Sequence, residues 1–191
     1  MPRLTVFAGP NGSGKSTLTQ LFEFEGKEEL LDPDAIAKRI NKTDSRSAAV
    51  AAGREVVRRT QEYIERHQSF AIETTLAGNR ILAVVRSAAA AGFFVRLVYI
   101  CLDQPERNIQ RVQERFARGG HDVPDEDIRR RYIRSLTNLP AVLHFVNEAF
   151  VYDNSGAEPR RVLEFQAGKI TWRAVDQPLW TKDLAETMRH R

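Results

Sequence analysis

Apolar residues fall in short dense runs along this chain, and the stretches between the runs carry helical spacing. The runs predict strands over residues 3–7, 29–31, 69–73, 94–102 and 150–152. Amphipathic segments predict helices over residues 15–22, 47–66, 80–91, 106–115 and 125–136. Strands alternating with helices specify a three-layer α/β domain with a mainly parallel sheet. Brevity and near-continuous apolarity suit strands buried on both faces. Crossovers between parallel strands are right-handed, and ligands sit beyond the carboxyl ends of the strands. The last segment differs: residues 161–174 hold two alternating runs around Ala167-Gly168 and predict a β-hairpin that covers a sheet edge. With no linker to divide it, the chain reads as one domain over residues 1–191, with a core over about 1–158 and a hairpin and tail over about 159–191.

Composition narrows the setting without naming a chemistry. A chain of 191 residues that is 42% hydrophobic and 28% charged can bury a proper core. No apolar run approaches the 18 or so residues of a membrane span. The N-terminus runs straight into a strand, so no signal peptide is expected, and the single cysteine, Cys101, lies in an apolar strand and excludes a disulfide framework. The expected location is the cytoplasm. The net charge of +4 hides a local concentration: Arg107, Arg111, Arg115, Arg118, Arg129, Arg130, Arg131 and Arg134 share one region, which calls for anionic ligands.

The first strand leads into Gly9, Pro10, Asn11, Gly12, Ser13, Gly14, Lys15, Ser16 and Thr17, which match the phosphate-loop pattern G-x-x-x-x-G-K-[ST]. Glycines let the backbone close on phosphate oxygens, and its N–H groups form an anion nest at a helix N-terminus. Lys15 is then the contact to the outer phosphates of ATP or GTP, and the Ser16 hydroxyl is the candidate Mg²⁺ ligand.

Other candidates sit where the strands end. Asp32-Pro33-Asp34 follows the second strand, with one carboxylate expected to cap a helix beginning near Ala35 and the other to face the γ-phosphate as a base. Pro33 favours an extended chain, which points the two to one side. Glu73 closes the third strand ahead of Thr74 and Thr75, and needs a sugar hydroxyl, a water on Mg²⁺ or an arginine as partner. Arg107, Arg111, Arg115 and Arg118 stack on one helical face before Gly119-Gly120, as a hinged lid closing arginines over the phosphates. His121 and Asp122 beside it are assigned to lid structure. The turn Asp153-Asn154-Ser155-Gly156 is placed near a nucleotide base.

Taken together, "GPNGSGKST", "DPDAIA", "IETTLAG", "RVQERFARGGHDVP" with "IRRRY", and "YDNS" resemble the zeta-toxin family of P-loop kinases, from residue 4 to about 155. The resemblance implies transfer of the γ-phosphate of ATP or GTP, with Mg²⁺, to a sugar hydroxyl, the family acceptor being the 3′-hydroxyl of UDP-N-acetylglucosamine. It implies catalytic roles for Asp34 as base and for Lys15, Arg111, Arg115 and Arg118. Substrate contact is implied for Asp34, Glu73 and Thr75, and metal ligation for Ser16. A neutralising antitoxin would be a separate chain. One position departs: Ala77 stands where larger toxins carry an arginine, and Arg80 is the nearby substitute. The alternatives are a kinase of another small molecule, a kinase of a polynucleotide end and a nucleotide-dependent interaction module. Nucleic acid is disfavoured because no platform of exposed aromatics is evident.

Overall fold

The computed structural model describes residues 1–41, 47–120 and 123–189. Its elements, in chain order, are β1 (Arg3–Ala8), α1 (Lys15–Leu21), β2 (Leu30–Leu31), α2 (Pro33–Ile40), α3 (Ala49–Glu65), β3 (Phe70–Thr74), α4 (Arg80–Ala90), β4 (Phe94–Cys101), α5 (Pro105–Ala117), α6 (Asp125–Leu143), β5 (Glu148–Asp153), β6 (Arg160–Gln166), β7 (Lys169–Arg173) and α7 (Leu179–Arg189). The strands form one seven-stranded sheet in the order β2-β3-β1-β4-β5-β6-β7. The first five are parallel and the last two antiparallel. The expected α/β fold, its parallel sheet and its terminal hairpin are all present. The hairpin extends the sheet by pairing β6 with β5.

This order fixes the site. β1, which feeds the phosphate loop, lies between β3 and β4, so the loop has the ends of both beside it. The main core packs Leu4, Val6, Phe70, Ile72, Val95, Leu97 and Tyr99 of the central strands against Ile81 and Val85 of α4 and Leu139, Val142 and Leu143 of α6. A smaller cluster of Phe7, Leu18, Val98 and Ile100 seats α1 on the sheet. A third, of Ile109, Val112, Val123 and Ile128, joins α5 to α6. The lid arginines therefore ride on a helix pair with its own apolar seam. At the glycine pair, α5 simply ends: Gly119 has φ +87°, and the Gly120 N–H donates to the Arg115 carbonyl at 2.9 Å.

Three expectations are corrected. The helix after Asp32 starts at Pro33, not near Ala35, because proline's fixed φ suits the first helical position. α6 runs through Pro140 to Leu143, where the sequence reading stops at 136; buried Leu139, Val142 and Leu143 hold the last turns despite the lost backbone bond. In the sequence the residues after the hairpin read only as tail, yet they hold α7, whose buried Trp180 and Leu184 dock it on the core, with the Trp180 ring 6.1 Å from that of Tyr99. Cys101 is buried, as expected, and that burial pushes the thiol up to about 12. His121 and Asp122 lie outside the described residues. None of the described helices is long and apolar enough to cross a membrane.

Candidate active site

The phosphate loop, α2, the loop after β3 and the lid helices enclose a cavity of about 540 Å³. Its size suits a small-molecule ligand. Asn11, Gly12, Lys15 and Ser16 line one side, Asp32, Asp34 and Lys38 a second, and Glu73, Thr75 and Ala77 a third. Arg115 of α5 and Arg130, Arg131 and Arg134 of α6 close it.

Each part is held by its local sequence. Asp32, extended as the residue before proline must be, accepts the Asp34 N–H at 2.9 Å and caps α2. Of the two carboxylates left open by the sequence, Asp32 is thus the cap, and Asp34 is exposed on the cavity wall in the first helical turn. Glu73 is 6% exposed at the end of β3. Its partners are on α1: Thr19 Oγ1 donates to Oε1 at 2.7 Å and Ser16 Oγ to Oε2 at 3.0 Å. Lys15 Nζ donates to the carbonyls of Gly9 at 2.8 Å and Pro10 at 3.0 Å.

The electrostatics follow from burial. Desolvation pulls the Lys15 ammonium below the ordinary lysine value, while Glu73, Asp34 and Asp32 work to keep it charged. Desolvation also pushes the Glu73 carboxyl above the ordinary range, assisted by Asp32 and opposed by the Thr19 bond, Lys15 and the Ser16 bond. A raised folded-state value means that the native chain holds more protons than the unfolded one between the ordinary and the raised value. Its stability therefore falls as pH rises through that window. Glu73→Gln removes this cost, so the ligand-free variant is expected to melt above the wild type at neutral pH, with the difference vanishing at acid pH; thermal melts across pH check it.

The arginines divide by position. Arg115 reaches the cavity wall, whereas Arg111 Nη2 donates to the Asn154 carbonyl at 2.9 Å and Arg107 Nη1 to that of Ser155 at 2.7 Å. Arg118 is exposed at the end of α5, outside the cavity lining. Of the loop residues, Gly9, Pro10, Ser13, Gly14 and Thr17 also lie outside that lining, Thr17 on the exposed side of α1. Sequence reasoning did not place Lys38, Arg130, Arg131 or Arg134 in the site. The signal was present in Arg130 and Arg134, four apart on one helical face. Arg131 Nη1 binds Asn11 Oδ1 at 3.1 Å, joining α6 directly to the loop.

Residues 4–137 match the AAA domain family. The chain belongs to that family. An uncharacterized protein of Haemophilus influenzae is 36% identical to this AAA domain over 126 residues, which is 66% of this chain and 89% of that protein. Among solved structures, a chain of the AvrRxo1-ORF1:AvrRxo1-ORF2 complex with sulphate ions superposes with a TM-score of 0.71 at 13% identity over 97% of this chain. The present chain spans 64% of that chain's length. The same complex has been crystallised with ATP. A chain of the PezAT chromosomal toxin–antitoxin system of Streptococcus pneumoniae superposes with a TM-score of 0.62 at 12% identity, covering 100% of this chain and 85% of that one. The AAA domain thus has a zeta-toxin-like P-loop kinase fold.

Proposed function

We propose that this AAA domain is a kinase that moves the γ-phosphate of ATP to a hydroxyl of a phosphate-bearing small molecule. The acceptor named by the resemblance is UDP-N-acetylglucosamine, at its 3′-hydroxyl. One observation carries the reading: the phosphate loop, an uncommitted carboxylate and four arginines face a single cavity. Asp34 is the base that accepts the proton of the attacking hydroxyl. Lys15 and Arg115 balance charge on the transferring group. Arg130 is paired with Asp127 at 2.8 Å, but Lys38 and Arg134 exceed what that group needs, and their surplus favours an acceptor with its own anionic groups. Thr75, with Ala77 beside it, lines the acceptor side.

Among the described residues no cluster of three or more His, Cys, Asp or Glu side chains forms a metal cage. Mg²⁺ needs none, since it takes one or two protein oxygens beside substrate phosphates and water. Ser16 and Glu73 supply hard oxygen donors at the phosphate loop and fit that requirement. Held there by Ser16 and Glu73, the ion would offset charge on the donor phosphates. In this reading Glu73 orients Ser16, a partner that was not among the sugar hydroxyl, Mg²⁺-bound water or arginine the sequence offered it.

Position separates the lid arginines. Arg115→Ala is expected to lower kcat/KM by about 10²-fold, as for removal of one charge-stabilising donor. Arg118→Ala is expected to stay within about 2-fold, as for an exposed substitution. Steady-state kinetics on both variants check this. The structural neighbours belong to two-protein systems, one of them a toxin–antitoxin system. A separate protein that neutralises this chain is part of the same proposal.

The test is mass spectrometry of acceptors incubated with protein, ATP and Mg²⁺. A gain of one phosphate on UDP-N-acetylglucosamine supports the full reading. A gain on another phosphate-bearing acceptor keeps the kinase and sets that sugar aside. A gain only on neutral acceptors would contradict the role given to Lys38 and Arg134.

A further inference from the structure

The Asn11 and Ser13 carbonyls of the phosphate loop accept from two side chains that lie far along the chain. Asn108 Nδ2, on α5 and fully buried, donates to the Asn11 carbonyl at 2.6 Å. Asn154 Nδ2, after β5 and 9% exposed, donates to the Ser13 carbonyl at 2.8 Å. Because a carbonyl only accepts, both amides must present nitrogen to the loop. Asn154 is itself gripped by its backbone: its N–H donates to the Cys101 carbonyl at 2.9 Å, and its own carbonyl accepts from Arg111.

A trans peptide is planar, so fixing its oxygen on one side fixes the following N–H on the other. Holding the Asn11 and Ser13 oxygens therefore aims the N–H groups of Gly12 and Gly14. These glycines have φ of +73° and +100°. Glycine resists peptide rotation least, and a rotated peptide would turn an oxygen toward phosphate. A Cβ on Gly14 would lie 2.4 Å from Asn154 Nδ2, so the brace and the glycine fit only each other.

We propose that Asn108 and Asn154 are positioning residues that lock the phosphate loop as an anion nest, with the N–H groups of Gly12 and Gly14 held toward the donor phosphates. The inference rests on the nucleotide-binding reading above and assigns that site a support outside its motif. Because Asn108 shares α5 with Arg115, the helix that carries the lid arginine also sets the shape of the loop.

The experiment is calorimetric titration of the wild type, Asn108→Leu, Asn154→Leu and Asn154→Asp with Mg·ATP and with tripolyphosphate, which has neither base nor ribose. Circular dichroism of each variant reports folding. Loss of one such bond, with its carbonyl left unpaired, is expected to weaken both ligands about 10-fold and by the same factor. Asn154→Asp matches asparagine in size but cannot donate, and its charge faces the loop. It is expected to bind worse than Asn154→Leu, and it decides the matter if a leucine variant does not fold. Unchanged tripolyphosphate affinity in folded variants would overturn the inference, as would wild-type binding by Asn154→Asp, since packing alone would then suffice. A wild-type chain that binds neither ligand would overturn the nucleotide reading, and this inference with it.

Discussion

Lys15→Ala is expected to lower the proposed phosphoryl transfer by about 10²-fold or more, with weaker ATP binding alongside, because charge stabilisation on the transferring group is the main catalytic contribution in such chemistry. Lys15 stands where burial makes its charge costly and where Glu73, Asp34 and Asp32 sustain it. A charge kept under those conditions acts strongly on a phosphate that shares the site. The ammonium also takes up the Gly9 and Pro10 carbonyls, so truncation removes the side-chain donor from both, the Pro10 oxygen keeping the Ser13 N–H at 3.3 Å. Lys15→Arg is not expected to restore the rate, because a planar fork does not reproduce a compact point charge. Initial rates and ATP titrations on the two variants measure both parts of the effect.

The second large effect is at Asp34. Asp34→Asn keeps size and shape and removes the proton acceptor, so turnover is expected to fall by about 10²–10⁴-fold while ATP affinity stays within about 2-fold. Helix α2 stays capped in this variant, because the cap is the Asp34 backbone N–H bonded to the Asp32 side chain. The control is Asp32→Asn, which still caps a helix and is expected to retain most activity. Loss of turnover in the Asp32 variant and not in the Asp34 variant would exchange the two roles. Kinetics at saturating ATP, paired with nucleotide titrations, distinguish the cases.

How much of this was legible in the sequence depended on how local each feature is. The phosphate loop was legible because its geometry is written into consecutive glycines and the Lys-Ser that follows them. The Asp-Pro-Asp stretch announced one cap and one free carboxylate, but which was which depended on where the helix began, and Pro33 set that boundary. Glu73 was visible as a costly charge at a strand end. Its partners, Ser16 and Thr19, come from α1, which the parallel pairing of β1 with β3 brings alongside. The arginines of α5 drew attention by their regular spacing. The cavity takes Arg115 from them and three more from α6, since the apolar seam between the two helices decides which face turns inward. The asparagines were not legible as braces: each bonds a residue 97 or 141 positions away, Asn108 carries no local pattern, and the turn that holds Asn154 pointed only to a nucleotide base. α7 escaped for a similar reason, because Trp180 and Leu184, four apart in a polar segment, are too few apolar positions to set a period.

The central claim is transfer to a hydroxyl of a small molecule, and the destination of the γ-phosphate tests it most directly. Wild-type protein and Asp34→Asn would each be incubated with γ-¹⁸O-labelled ATP, Mg²⁺ and a pool of sugar nucleotides, and the label followed by mass spectrometry. Labelled phosphate is expected on an organic acceptor with the wild type and none with the variant. Label released only as inorganic phosphate, at the same rate from both proteins, would contradict it.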